Sequence, residues 1–135
     1  LKFCILKYHN IVGINDHSNK TDYLKNFKVY NLKKLKISKN SLLQFAYIED
    51  IKEVVQRIIK KILKKKRLSN VLNIANNPLS YNYLIKINSK NKLKQKNLDH
   101  DIIPDVIVDN SKIKKMLRFN FTSNYKILRE LRKET

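Results

Sequence analysis

The chain has 135 residues, which fits one domain with a modest core, and its hydrophobic fraction of 42% argues against disorder. Thirty basic residues face eleven acidic ones, and a formal charge of +19 repels itself unless a polyanion relieves it. RNA, DNA, an anionic membrane surface and a phosphorylated ligand are all admissible partners. The single Cys4 excludes a disulfide framework or a multi-cysteine metal site, and three scattered histidines argue against zinc.

Neither a membrane span nor a signal peptide is predicted from the sequence. Apolar runs are shorter than the roughly 18–20 residues that a membrane span needs, so no span is predicted. The chain begins with Leu1 and shows no signal-peptide pattern, which indicates an internal piece of a longer protein that is not secreted. We expect it in the cytoplasm or in an organellar matrix.

The first third of the chain is dominated by predicted strands. KFCILKY (2–8) is a short apolar run and predicts a buried strand. The only glycine, Gly13, follows and is interpreted as a permissive residue where the backbone turns. The segment 15–22 has the composition of a loop, a strand with a turn is predicted over 28–38, and a further strand over 41–48.

The clearest element is an amphipathic helix from Asp50 to about Arg67. Its apolar residues recur at helical spacing and form one stripe, interpreted as the core face: Ile51, Val54, Val55, Ile58, Ile59, Ile62 and Leu63. Asp50 followed by Glu53 fits an N-cap with a supporting carboxylate, and the lysines at the other end complement the helix dipole. These basic residues form a solvated rim and are also the candidate contacts for a polyanion: Lys60, Lys61, Lys64, Lys65, Lys66 and Arg67.

Strands and helices alternate in the second half. A strand over 70–75 leads to Ser80, which is predicted to cap a helix over 81–87. A polar loop follows over 88–100, and a strand is predicted over 104–109.

Two further helices complete the predicted order. Asp109 can cap a helix over 112–119, and Ser123 or Asn124 can cap a last helix over 125–134. Strands interleaved with helices predict an α/β fold.

The composition excludes most catalytic and cofactor-binding motifs. With one glycine, the chain can form neither a glycine-rich phosphate loop nor a nucleophile elbow, so a nucleotide cofactor must be held by something outside it. The acidic residues at 49–50 and over 99–105 are interpreted as caps and solvated side chains. Tyr30 and Lys34 have YxxxK spacing, which is expected by chance in so lysine-rich a chain. No catalytic residue and no metal site are assigned.

Four segments, in this order, resemble the extended short-chain dehydrogenase/reductases, especially the NAD-dependent sugar-nucleotide epimerase/dehydratase family of UDP-glucose 4-epimerase type. ILKYHNIVG (5–13) is similar to the strand end LRYFNxxG, and FAYIEDIKEVV (45–55) to RDYIHVDDLAxA. VLNIANNPLSYNYLIKI (71–87) is similar to YNIGxGxxxSxxELxxxI, and DNSKIKKMLRF (109–119) to ADxSKAxxxLGF. A final helix with LRE at 128–130 follows.

The resemblance implies that residues 1–135 are one incomplete domain. They would be the C-terminal, substrate-binding portion of a Rossmann-type fold, with late sheet strands and a small α/β region, lacking the glycine-rich cofactor loop. The N-terminal half would supply that loop, the catalytic residues and the binding site for NAD. Tyr30 and Lys34 follow the first strand, whereas the family's catalytic pair precedes it, so their spacing is a coincidence. The implied partners are that missing half and a UDP-sugar ligand.

The resemblance also implies roles for individual residues. Asn10 matches the asparagine that contacts the nucleotide sugar, and Tyr8 matches the strand residue whose backbone lies near the nicotinamide. Asp101 is all that remains of a late Arg-x-Gly-Asp substrate motif, and Gly13 matches the glycine of the first motif.

Departures from the family pattern lead to a second hypothesis. The phosphate-binding arginine and its neighbouring aspartate fall at Leu43 and Gln44, and the glycine of LGF falls at Arg118. Each lost arginine removes a charge-assisted contact of about 1.5–3 kcal/mol. The chain is therefore either an epimerase fragment that is inactive alone, or a non-catalytic basic scaffold of the same ancestry that binds RNA or a ribonucleoprotein. A freestanding RNA-binding module would leave the motif order unexplained.

Overall fold

The computed structural model describes residues 4–8, 10–15, 24, 41–66, 68, 71–88 and 107–133. In chain order these form strands β1 (Ile5–Tyr8), β2 (Ile11–Val12), β3 (Leu42–Leu43) and β4 (Ala46–Tyr47), helix α1 (Ile48–Leu63), strands β5 (Val71–Ile74) and β6 (Leu79–Ser80), and helices α2 (Tyr81–Asn88), α3 (Ser111–Leu117) and α4 (Asn124–Leu131). The organisation is mixed α/β, as the alternation of patterns predicts. None of these helices is long and apolar enough to cross a membrane.

Several predicted features lie outside the described residues. They are the strand with a turn over 28–38, the YxxxK pair, most of the loops over 15–22 and 88–100, the first half of the strand over 104–109, Arg67 and Asp101.

The strands form two parallel pairs and one antiparallel pair. β1 runs parallel to β5, β2 runs parallel to β4, and β3 runs antiparallel to β6. Two backbone bonds connect the parallel pairs, from Ala46 N to Asn10 O at 3.0 Å and from Asn76 N to Phe45 O at 2.7 Å. The segment entering β4 therefore lies between the carboxyl ends of β1 and β5.

β4 separates two hydrophobic cores, because successive side chains of a strand point to opposite faces. Ala46 belongs to the core between α1, β5 and α3, whose other buried members are Ile51, Val54, Ile58, Leu72, Ile74, Ile113, Leu117, Phe119 and Phe121. Phe45 and Tyr47 belong to the core against α2 and α4, with Val12, Leu24, Leu79, Tyr81, Leu84, Ile127, Leu128 and Leu131.

Helix α1 begins at Ile48, two residues before the predicted start. Its N-cap is Tyr47, so the prediction that Asp50 is the N-cap is wrong. Asp50 lies in the first turn with only 4% of its surface exposed, because its carboxylate accepts hydrogen bonds from Thr122. The interpretation of this acid as a solvated residue is therefore also corrected.

The apolar stripe of α1 is buried over only part of its length. Val54 and Ile58 are buried, whereas Ile59, Ile62 and Leu63 are 50%, 44% and 77% exposed. The prediction that the whole stripe faces the core is wrong, because the helix runs past the elements it packs against after roughly three turns.

β1 is a strand as predicted, but it is not buried. Ile5 and Tyr8 are both 47% exposed, and only Cys4 and Leu6 contribute to a core. Within the described part of the chain, β1 has a single strand neighbour, β5, so no described strand pairs with its other edge.

Two predicted helix caps are confirmed. The Ser80 hydroxyl accepts a hydrogen bond from the backbone N–H of Tyr83 at 3.2 Å, at the start of α2. The Ser123 hydroxyl accepts one from Lys126 N–H at 3.4 Å, at the start of α4. Local residue type is enough to place these two helix starts, because capping needs only a short polar side chain beside the first turn.

Asp109 acts one position away from its predicted role. Asn110 is the N-cap of α3, and the Asp109 carboxylate instead accepts hydrogen bonds from the backbone N–H and the hydroxyl of Ser111, at 2.8 and 2.7 Å. These hydrogen bonds, the backbone one first, lower the pKa of Asp109. The aspartate therefore stabilises the helix start without being its cap.

Gly13 is required for space rather than for a turn. Its φ is not positive; the left-handed conformations nearby belong to Asn10 (φ 38°) and Asn15 (φ 58°). A Cβ at Gly13 would lie 2.5 Å from Cγ2 and 3.2 Å from Cβ of Ile48. The interpretation of this glycine as a flexible turn residue is replaced by one of close packing against the start of α1.

Replacing Gly13 by alanine should therefore destabilise the fold by about 1–3 kcal/mol through overpacking. Urea unfolding of Gly13→Ala against the unmodified chain measures this. In an Ile48→Ala background the nearest methyl is gone, so the penalty should shrink. An equal penalty in both backgrounds would contradict the steric explanation.

Candidate functional site

Tyr8 and Asn10 lie together at the carboxyl end of the parallel pair β1–β5. Asn10 has left-handed backbone geometry, which asparagine tolerates better than most residues. Its carbonyl accepts the Ala46 N–H, and its side-chain amide donates to the carbonyl of Gln44 at 3.4 Å. Ligands of open α/β sheets bind outside the carboxyl ends of the strands, so this is the candidate substrate side.

The candidate polyanion contacts lie at the opposite end of the sheet. Helix α1 returns the chain from the carboxyl end of β4 to the start of β5, since a parallel connection has to cross back. Its last residues therefore lie at the amino ends of the strands. Lys60, Lys64, Lys65 and Lys66 are exposed there and Lys61 is half-buried. The structure does not bring these lysines near Asn10.

Five polar side chains form a hydrogen-bonded network near the carboxyl ends of β4 and β5, which we call the carboxyl-end network. Four of them are almost completely buried, with at most 9% exposure. Gln44, Asp50 and Thr122 are linked with Asn76, and Asn110 joins the network one residue earlier by donating to the Ala75 carbonyl.

The side-chain amide of Gln44 makes hydrogen bonds to the Val108 backbone of the kind that a neighbouring strand would make. Its Oε1 accepts the Val108 N–H at 2.8 Å, and its Nε2 donates to the carbonyls of Val108 and Asn76 at 3.1 and 2.9 Å. Residues 107–109 form no strand, in contrast to the described half of the strand predicted over 104–109. Both amide hydrogens of Gln44 are used, so this side chain has none left for a ligand.

Asn76 and Asp50 connect β5, α1 and the segment before α4. Asn76 Oδ1 accepts the Tyr47 N–H at 2.9 Å, and its Nδ2 donates to Asp50 at 2.6 Å and to the Thr122 carbonyl at 3.1 Å. Asp50 also accepts the backbone N–H and the hydroxyl of Thr122, at 3.0 and 2.7 Å. Buried groups satisfied in this way hold a fold in place, so the network supports the site without lining it.

The network was missed by sequence reasoning because its partners lie 26 to 72 residues apart. A signal for it does exist. Gln44 interrupts the apolar run SLLQFAYI, and Asn76 directly follows a strand. A polar side chain in such a position needs an internal partner, although the sequence does not say which.

The end of α3 is held against α1 by Arg57. Its Nη1 donates to the carbonyls of Leu117 and Arg118, both at 3.1 Å, and its guanidinium lies 5.3 Å from the centre of the Phe119 ring. Arg118 ends the helix in a left-handed conformation (φ 48°, ψ 49°). Glycine is the residue that adopts this conformation at least cost.

Replacing Arg118 by glycine should accordingly raise the free energy of unfolding by about 1 kcal/mol. Arg118→Ala removes the same charge but keeps the strained Cβ, so it should change stability by less than about 0.5 kcal/mol. Thermal or urea unfolding of both variants is the measurement. Equal stabilisation by the two would show that charge, and not backbone conformation, is responsible.

Other surface features do not coincide with Tyr8 and Asn10. A shallow depression of about 650 Å³ lies along the outer face of α1 and is lined by charged side chains such as Lys52, Glu53 and Arg57. In the part of the chain that the structure describes, no three side chains of metal-binding type cluster together.

Comparison of the chain with protein-family models, with curated proteins and with solved structures finds no match. Function therefore has to be argued from individual residues. Asn10 and Arg118 both have left-handed backbone conformations, with φ of 38° and 48°.

Proposed function

We propose that this chain is the substrate side of an extended short-chain dehydrogenase/reductase. More particularly, we propose a fragment of an NAD-dependent sugar-nucleotide epimerase/dehydratase that contributes the sugar-nucleotide-binding surface. The observation that carries the proposal is the left-handed Asn10 at the carboxyl end of a parallel strand, where the family motif places its substrate-contacting asparagine.

The strand arrangement supports this assignment. β1 and β5 are parallel, in register from Ile5↔Val71 to Tyr8↔Ile74, and α1 enters β5 as a crossover helix. Doubly wound sheets are built from such units and bind nucleotides at the carboxyl ends of their strands. Tyr8 and Asn10 occupy that end.

Arg118 gives independent support. The motif ADxSKAxxxLGF carries glycine at this position, and the chain here adopts the conformation that glycine favours. The residue types differ at this position, but the helix end has the backbone conformation that the motif glycine would favour.

The exposed side chains of β1 support the proposal that a cofactor-binding half packs against this strand. Parallel sheets are normally covered on both faces, yet Ile5, Tyr8 and Val71 are 47%, 47% and 38% exposed. A cofactor-binding half that added the next strand and its helices would bury this edge and face. When bound there, NAD would supply reversible hydride acceptance, while this chain would bind and orient the sugar nucleotide.

Binding by this chain alone should be weak. With the motif tyrosine at Tyr47, the arginine and aspartate of RDYIHVDDLAxA fall at Phe45 and Ala46, not two residues earlier. Both side chains are apolar and buried, so neither position binds a diphosphate. We expect millimolar affinity for a UDP-sugar and no detectable binding of NAD.

The test uses two asparagines that share a left-handed conformation. Asn10→Gly deletes the amide while keeping the backbone geometry, and should weaken UDP-glucose binding about five- to tenfold. Asn15→Gly, the matched control at φ 58°, should leave it unchanged. Titration calorimetry or ligand-observed NMR measures both. Equal affinities for the two variants, or no binding to the unmodified chain at several millimolar ligand, would contradict the proposal.

A further inference from the structure

The end of α1 exposes an apolar surface that nothing in the described structure covers. We call residues 59–66 the α1 tip. Ile59, Ile62 and Leu63 are 50%, 44% and 77% exposed, and Leu63 is the most exposed of the large hydrophobic residues described. Their spacing of i, i+3 and i+4 places them on one side of the helix.

All charged side chains of the α1 tip are positive. The acidic residues of the helix, Glu49, Asp50 and Glu53, lie in its first two turns, whereas Lys60, Lys61, Lys64, Lys65 and Lys66 occupy its end. Compensation of the helix dipole accounts for lysines at this end. It does not account for three exposed aliphatic side chains among them.

We propose that the α1 tip docks on an anionic lipid surface. The three aliphatic side chains would enter the boundary between headgroups and acyl chains, while the lysines, on the other sides of the helix, contact lipid phosphates and carboxylates. A basic amphipathic helix end has both components that such binding requires, namely apolar area and positive charge.

The same residues fit other partners less well. RNA phosphates would attract the lysines, but RNA gains nothing from exposed isoleucine and leucine, and the tip has no aromatic side chain on which a base could stack. A protein groove that receives a helix uses anchors over two or more turns. Here the stripe preceding Ile59 is already buried in the core.

The proposal is independent of the proposed function. The α1 tip lies at the amino end of the sheet, away from Tyr8 and Asn10. A chain docked in this way leaves its candidate substrate side open to water.

The test is sedimentation of the full chain with phosphatidylcholine vesicles, with and without phosphatidylserine. Binding should require phosphatidylserine and weaken as salt is raised. Leu63→Ser should reduce the partition coefficient about tenfold and Lys64→Gln about fivefold. Tyr125→Ser and Lys133→Gln change an exposed ring and an exposed lysine elsewhere, and should have no effect.

Several outcomes would overturn the proposal. One is no binding to phosphatidylserine vesicles at low salt. Another is an equal loss in Leu63→Ser and Tyr125→Ser, which would mean that the tip is not the contact. A third is tight binding to poly(U) that Leu63→Ser leaves intact, together with weak vesicle binding, which would assign the lysines to RNA. Circular dichroism of each variant verifies that these exposed substitutions leave the fold intact.

Discussion

Replacing Asp50 by asparagine is expected to lower the free energy of unfolding by about 2–4 kcal/mol, although the two side chains are nearly equal in size. The Asp50 carboxylate accepts hydrogen bonds from three donors, which are Asn76 Nδ2 and the backbone N–H and hydroxyl of Thr122. The introduced amide has one acceptor oxygen where the carboxylate has two. With that oxygen toward Asn76 Nδ2, its NH2 group takes the place of the acceptor of the Thr122 hydroxyl, and in the reverse orientation it sets hydrogens against Asn76 Nδ2. Asn76 cannot relieve the conflict by flipping, because its Oδ1 accepts the Tyr47 N–H.

Urea unfolding followed by circular dichroism measures this effect, with Glu49→Gln as the matched control. Glu49 precedes Asp50 but is about half exposed and makes one surface ion pair with Lys52, so its replacement should cost less than about 1 kcal/mol. If Asp50→Asn were as mild as the control, the carboxyl-end network would not contribute to stability in the way described.

The second large effect is expected at Gln44. Gln44→Met keeps the volume of the side chain but leaves the Val108 N–H and two carbonyls without their partner, at a cost of about 2–4 kcal/mol. Residues 107–109 should also become less protected from hydrogen exchange, because the amide of Gln44 substitutes for a neighbouring strand there.

Gln56→Met provides the control. Gln56 is exposed on α1, so this variant makes the same chemical change at a surface site. It should alter stability by less than about 0.5 kcal/mol. A stabilised Gln44→Met would contradict this expectation, because it would show that an apolar side chain suits the position better than the hydrogen-bonded amide.

Local features of the fold could be predicted from the sequence. The body of α1 follows from the spacing of its apolar residues, and Ser80 and Ser123 mark helix starts because capping depends on a few adjacent atoms. The strands at Ile5–Tyr8 and Val71–Ile74 follow from short apolar runs. In each of these elements the determining interactions lie within a few residues.

Features set by distant neighbours could not be predicted. Periodicity alone makes Leu63 look equivalent to Val54, but the core ends between them, and only the packing of α1 against β5 and α3 shows this. Gly13 resembles a turn residue until Ile48 is placed beside it.

The same limit applies to the candidate site. Asn10 and Tyr8 could be named from motif resemblance, and their roles in binding stay predictions; the structure places them at the carboxyl end of β1. The carboxyl-end network beneath them depends on contacts such as that of Asp50 with Thr122, 72 positions apart in the sequence. No local pattern distinguishes Asp50 from its exposed neighbour Glu49.

The assignment of the carboxyl end as a sugar-nucleotide site is tested most directly by mapping where such a ligand contacts the chain. UDP-glucose would be titrated into the ¹⁵N-labelled chain while amide shifts are followed, with inorganic diphosphate as the parallel control. We expect UDP-glucose to shift the amides of Tyr8 and Asn10 and their neighbours, and diphosphate not to reproduce these shifts. Shifts confined to the lysines of the α1 tip with both ligands would show only attraction of anions, and would contradict the assignment of the carboxyl end as a sugar-nucleotide site.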